Sequence, residues 1–259
     1  NSQQGIAFTG GGTRSYLATA GYLSGLHTAG LMDHVRYISG VSGGSWGTCV
    51  YMFASSAPGN DSKLLGPILM PEDITMAKLK HIDPECMRGG PVNKDFAWHA
   101  TENFLNPFVH GRDVWFKSVS DVYLKPFGVP DDKYPAQTQA VAQRIADYND
   151  GLSVSDFALP RANRPLWIAG ISDLGPEPLS PFHEKDRAYT VFEATPFYVG
   201  QPYSRNITFK GASGKEETVM VGGFIDTFAF GSQGPSSGLS GTNGTLATKT
   251  IKDHTLSPA

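Results

Sequence analysis

The chain has 259 residues, of which 40% are hydrophobic, so about 70–75% of the unfolded surface can be buried in one sizeable core. Charged residues make up only 17% and the formal net charge is −3, which argues against a nucleic-acid binder with its basic excess. With 30 Gly and 18 Pro the chain is too turn-rich for a helical bundle, too apolar for disorder, and without a run of about 18 apolar residues that would span a membrane as a helix.

Ile6-Ala7-Phe8 is a short apolar run that stops at Gly10-Gly11-Gly12, which predicts a buried strand ending in a tight loop. From Arg14 to Leu31 the apolar residues Leu17, Ala20, Gly21, Leu23, Leu26 and Leu31 recur at helical spacing, with Gly30 as the stop. Val35–Ile38 is the next strand. It runs into Gly40-Val41-Ser42-Gly43-Gly44 and then a second helix to Ala54. Strand–loop–helix–strand–turn–helix is the pattern of an α/β domain with parallel strands.

The middle of the chain, residues 57–134, is rich in aromatics and interrupted by Pro and Gly. It reads as core packing or as a cap or lid whose apolar side meets lipid. Ala136 to Tyr148 is a helix with Pro135 at its start and Asn149-Asp150-Gly151 at its end. Pro165–Ile171 and Ala188–Ala194 read as core strands, and residues 231–259 as a flexible Gly/Ser/Thr-rich tail. One domain is expected over residues 1–259.

Cys49 and Cys86 read as two buried thiols or one bridge, and neither they nor the seven His show a metal-binding spacing. No cofactor motif is present. The chain opens at Asn1 without a leader pattern, which reads as a processed chain or a fragment. Sequons at Asn60, Asn206 and Asn243 tilt the compartment towards the secretory pathway.

Gly40-Val41-Ser42-Gly43-Gly44 fits G-x-S-x-G between a strand and a helix. Small neighbours let the backbone bend sharply and leave the serine oxygen clear for attack, while the next helix points its positive end at the site. Gly10-Gly11-Gly12 can turn successive amides towards one point, as an oxyanion hole requires. A phosphate loop competes with that reading, but no Lys follows the glycines. Arg14 puts a fixed cation at a helix start, an unfavourable place that invites a functional explanation.

Gly11-Gly12-Thr13-Arg14 followed by Gly40-Val41-Ser42-Gly43-Gly44-Ser45-Trp46 resembles the patatin and cytosolic phospholipase A2 superfamily, in its group IV and phospholipase B-like branch. Phe192-Glu193-Ala194-Thr195-Pro196-Phe197-Tyr198-Val199-Gly200 is similar to that branch's aromatic-Pro-aromatic stretch. The resemblance covers the first 55 residues well and residues 165–231 loosely. It implies a three-layer α/β sandwich with a central, mostly parallel sheet and lid-like insertions. It also implies a lipid acyl hydrolase with a Ser/Asp dyad and no catalytic His, acting on phospholipid or lysophospholipid at a membrane surface. By that resemblance Ser42 is the nucleophile, Gly11 and Gly12 hold the oxyanion, and Arg14 meets the phosphate.

The family's D-G-[GA] or D-S-G triplet is absent after Tyr198. Asp226 is a weak candidate for the dyad base, and Asp150-Gly151 reads as a helix stop. The dyad Asp is therefore expected beyond Ala259, in a missing part of the domain, a separate fragment or another protein chain. Two other readings compete. One is a Ser42–Asp226–His254 triad of α/β-hydrolase order; the other is a catalytically inactive relative kept as a structural or lipid-binding subunit.

Overall fold

The protein is described by a computed structural model over residues 4–55, 60–91, 94–149, 151–173, 190–210 and 214–226. The tail at 231–259, with His254 and Asp253, lies outside the described residues, as does Asp150.

Strand β1 (Gln4–Phe8) leads through the glycine loop into helix α1 (Thr13–Thr28), which returns the chain to β2 (Val35–Val41), parallel to β1. The glycine stop of α1 is where the sequence predicts it. Gly30 adopts φ 67°, and the amides of Gly30 and Leu31 donate to the carbonyls of His27 (3.0 Å) and Leu26 (2.9 Å). This pair of bonds closes a helix end with a left-handed residue. The buried face differs from expectation: Tyr16, Thr19, Ala20, Leu23 and Ser24 point inward, while Leu31 is exposed. Small residues at 19 and 20 let α1 lie close on its neighbour α2 (Gly43–Phe53), and the leucines at 17 and 26 stay half-buried.

Every residue of α2 is buried. A helix apolar on all sides belongs in the middle of a core. It packs on α1, on β2 and later on β5 (Leu166–Asp173). Between α2 and β5 come α3 (Asp61–Leu65), α4 (Met76–Lys80), α5 (Phe96–Leu105) and α6 (Val114–Val119), then a π-helical turn at Ser120–Leu124. A two-residue strand β3 (Tyr134–Pro135) pairs with β4 (Phe157–Ala158), and α7 (Gln139–Tyr148) stands between them. Pro135 therefore belongs to β3; the cap of α7 is Thr138, whose side chain accepts from the Val141 amide at 3.2 Å. The aromatics of the middle segment divide, with Tyr123 and Phe127 in the main core and Trp98, Phe104 and Phe108 exposed.

The fold is the expected α/β class. Its main sheet has six strands in the order β1-β2-β5-β6-β7-β8, with β6 Thr190–Ala194, β7 Tyr198–Lys210 and β8 Glu216–Asp226. The strands that carry the glycine loop and Ser42 are parallel through to β5, and the sheet continues antiparallel from β5 to β8. The long β7–β8 hairpin has no counterpart in the sequence reading. Reading across the register, Phe8, Gly40, Ala169, Ala194, Val199 and Ile225 lie on one row. Cys49 and Cys86 are buried thiols that form no bridge, and burial pushes the Cys49 thiol far above its usual range.

Candidate active site

Strand β2 ends in a turn whose tip is Ser42, at φ 54° and ψ −128°. A non-glycine residue held at positive φ costs on the order of 1–3 kcal/mol and persists only where its surroundings over-determine it. Here they do. Gly43, the next residue, lies so close to the glycine loop that an added Cβ would stand 2.0 Å from the Gly12 carbonyl oxygen. The loop and the turn are thus in backbone contact, and Gly10 closes the arrangement, with Ser42 Cβ 3.2 Å from where its own Cβ would be.

Gly11 and Gly12 both sit at φ values that favour glycine, 146° and 60°. Gly12 is the N-cap of α1 and Ser42 the N-cap of α2, and neither helix start is capped by a side chain or carries an acidic residue in its first turn. Two helix N-termini with their partial positive charge therefore converge on one place, where they favour an anion. Ser42 does not spend its hydroxyl on capping its own helix. Arg14 is exposed in the first turn of α1 and adds a full charge to the same region.

A cavity of about 690 Å³ opens along β1 and α1. Gly10, Gly11 and Arg14 form its polar end, and Ile6, Phe8 and Leu26 contribute apolar wall. Gly10 joins it to the serine turn.

The loop is also tied to the middle of the chain, which the sequence reading left unplaced. Thr13 shares a short hydroxyl–hydroxyl bond with Tyr123 in the π-helical turn. The Tyr123 ring lies 5.0 Å from Tyr16 and 4.9 Å from Trp46, one turn beyond Ser42. Burial raises the Tyr123 phenol above its ordinary range, which keeps it neutral as a hydrogen-bonding group. Its place beside the loop had no spacing signal in the sequence, since 110 residues separate it from Thr13.

Asp226 is the terminal residue of β8 and pairs with Tyr198. It lies next to the row that contains Gly40, but four strands along from β2. At about 4.8 Å per strand that is a backbone separation of about 19 Å. The sheet brings Gly10, Gly11, Gly12, Arg14 and Ser42 together and does not bring Asp226 to them.

No protein-family model matches the chain. Over 78 residues it is 37% identical to the Mus musculus cytosolic phospholipase A2 zeta, covering 30% of this chain and 9% of that protein. Over 112 residues it is 32% identical to the Homo sapiens cytosolic phospholipase A2 delta, covering 43% of this chain and 13% of that protein. This chain is similar to cytosolic phospholipase A2. It spans about a tenth of the length of these relatives. Among solved structures, human GIVD cytosolic phospholipase A2 matches 75% of this chain and 22% of its own at 19% identity and a TM-score of 0.35.

Proposed function

We propose that this chain carries the nucleophile and oxyanion loop of a serine lipid acyl hydrolase of the phospholipase A2 or lysophospholipase type. The observation that carries the reading is Ser42 itself, held at φ 54° on a strand-to-helix turn that is wedged against Gly12. Backbone strain of this kind collects at functional sites, and here it holds a hydroxyl that does not cap its own helix. The similarity to proteins named phospholipases supports the same class of reaction.

In this mechanism Ser42 Oγ attacks the ester carbonyl and its proton passes to a carboxylate base. The carbonyl oxygen becomes an anion held by the amides of Gly11 and Gly12, in the field of two helix N-termini. Collapse of the tetrahedral intermediate breaks the ester C–O bond. It releases the alcohol with the returned proton and leaves the acyl group on Ser42. Water then attacks the acyl-enzyme and gives its proton to the same base, which hands it to Ser42 Oγ as the acyl–oxygen bond breaks and the fatty acid leaves. Arg14 meets the phosphate of a phospholipid, and the adjoining cavity, charged at one end and apolar along β1, suits an amphiphilic substrate. We take the base to be a dyad aspartate from outside the described residues; the strand that ends at Asp226 lies four places along the sheet from β2.

Labelling of the purified full-length protein with a fluorophosphonate, read by intact mass beside Ser42→Ala, tests this. We expect one adduct, absent in the variant. A folded wild-type protein that takes no adduct overturns the proposal in favour of an inactive relative.

A further inference from the structure

Helices α1 and α2 start at the two turns of the candidate site. Their first turns must keep a fixed relation if Gly11, Gly12 and Ser42 are to act on one carbonyl. Gly47 sets the helix spacing further in, where an added Cβ would stand 2.8 Å from Thr19 Cγ2. Ahead of that contact Tyr123 reaches both helices, with its ring 5.0 Å from Tyr16 and 4.9 Å from Trp46. The Tyr16 amide donates to the Gly12 carbonyl and the Trp46 amide to the Ser42 carbonyl, each at 3.0 Å. Tyr123 thus packs on the residue that closes the first helical turn after each sharp turn. Its hydroxyl bonds to the hydroxyl of Thr13, the residue next to Gly12.

We propose that Tyr123 is a positioning residue that holds the oxyanion loop against the Ser42 turn; the inference rests on the function proposed above. Three observations single it out. First, Tyr123 is 2% exposed among the rings of Tyr16, Trp46 and Phe96, the last at 6.1 Å, where a phenyl ring would pack as well. A buried phenol needs a hydrogen-bond partner, and this one finds it on the helix that the loop leads into. Second, the ring is delivered by the π-helical turn Ser120–Leu124, a geometry that inserts a residue into the helix and is found mostly at functional sites. Third, the turn is itself anchored. Ser120 Oγ donates to Asp131 Oδ2 at 2.9 Å, Lys94 Nζ donates to the Asp121 carbonyl at 3.2 Å, and Val122 and Leu124 are fully buried. Phe96 lies edge-on to Trp115 at 5.2 Å, and Trp115 lies 6.3 Å from Trp46, which closes the aromatic wall around the phenol. Tyr123 is not among the described residues that line the cavity of about 690 Å³, so it acts through the loop and not on the ester.

The test is the rate of fluorophosphonate labelling of the full-length protein, with amide hydrogen exchange of residues 10–14 read in parallel. Tyr123→Phe and Thr13→Val should each slow labelling about tenfold or more, since misplacement by about 1 Å can cost about a hundredfold. Both remove the same bond, so the double variant should be no slower than the slower single one, within about twofold. Thr13→Ser keeps the hydroxyl and should label as wild type. Ser24→Ala deletes another buried hydroxyl of α1, one that donates to the Gly66 carbonyl at 3.1 Å. It should lose stability yet label at the wild-type rate, which separates positioning from a general loosening of the fold. Labelling of Tyr123→Phe at the wild-type rate overturns the proposal. So do losses that multiply in the double variant, or a loss in Ser24→Ala equal to that in Tyr123→Phe. Exchange at residues 10–14 should be faster in Tyr123→Phe whether or not the wild-type protein labels. A wild-type protein that fails to label counts against the proposed reaction, and the clamp is then judged by exchange alone: unchanged exchange overturns it.

Discussion

Helices α2 and α5 are nearly equal in length, 11 and 10 residues, and both are rich in large apolar side chains. One is buried on every side, while the other keeps its polar Asn103 inside and turns Trp98 and Phe104 to the solvent. What separates them is what the neighbours supply. The sheet and α1 offer α2 an apolar bed with glycine-thin contacts, and Trp167 contributes both an edge-on ring against Phe53 at 5.3 Å and a donor to Thr48 Oγ1 at 3.1 Å. The neighbours of α5 offer a hydroxyl and a carboxylate, Ser118 and Asp121, so a side-chain amide is what fits there. Apolar content alone does not say which way a helix faces; the partner chemistry does.

The largest expected effect is at the far end of α2. The carbonyl of Tyr51 accepts from Arg164 Nε at 3.1 Å and Arg161 Nη1 at 3.3 Å, and the Arg164 guanidinium lies 4.3 Å over the Tyr51 ring. Both guanidinium groups are buried and both pair with Asp61, Arg161 at 2.9 Å and Arg164 at still closer range. Cations near a helix C-terminus complement its dipole. Burial, then the neighbouring Arg164, pulls the Arg161 pKa below its usual range, and Asp61 opposes that shift. Asp61→Ala leaves two buried cations without their carboxylate and should cost about 3–5 kcal/mol in urea unfolding. Trp98→Ser on the outer face of α5 should stay within about 0.5 kcal/mol of wild type. Equal costs at the two sites would erase the distinction between the helices.

A smaller but still large effect is expected where α2 begins. Gly43→Ala forces a methyl onto the Gly12 carbonyl, a contact that backbone must relieve, and overpacking of this kind costs about 3 kcal/mol. The substitution also moves Ser42 relative to the loop, so fluorophosphonate labelling should be lost even in the fraction that folds. Normal labelling with wild-type stability would mean that the close approach is not what holds the turn.

The parts of the site that lie close in sequence were legible there. Glycines at 10–12 and 40–44 announce two sharp turns, and the strand before each and the helix after each follow from short apolar runs and 3.6-residue spacing. The stop at Gly30 was legible for the same local reason. Two things were not. The partnership of Thr13 with Tyr123 depends on a π-helical turn that no periodicity announces. The β7–β8 hairpin is broken at Gly200, Pro202, Gly222 and Gly223, its register shifts between Gln201 and Arg205, and few of its side chains are buried, so alternation gives no signal. The missing base belongs with these. Asp226 could be nominated from its place in the sequence, but only the strand order shows that three strands lie between its own and the one that leads to Ser42.

The smallest effect concerns the inner side of α5. Burial alone would raise the Asp121 carboxyl, but hydrogen bonds from Lys125 and Asn103, with the charges of Lys125 and His99, outweigh it and hold the group below the usual carboxylate range. Lys125, 3.0 Å from Asp121 and 3.1 Å from Asp131, is raised in turn, because those two carboxylates overcome its own burial. A carboxyl whose pKa is lower in the folded state stabilises the fold above its unfolded value of about 3.9 and loses that contribution as pH falls through the folded value. Asp121→Asn should therefore be less stable than wild type at pH 7 by about 1 kcal/mol or less, since the pair is partly exposed. The gap should close as pH drops below about 4, where the wild-type carboxyl takes up its proton. A gap that persists unchanged to acid would mean that α5 is held by the rings of Phe96 and Trp115 alone. Its polar inner face would then be incidental, and the contrast with α2 would reduce to which apolar side chains happen to be covered.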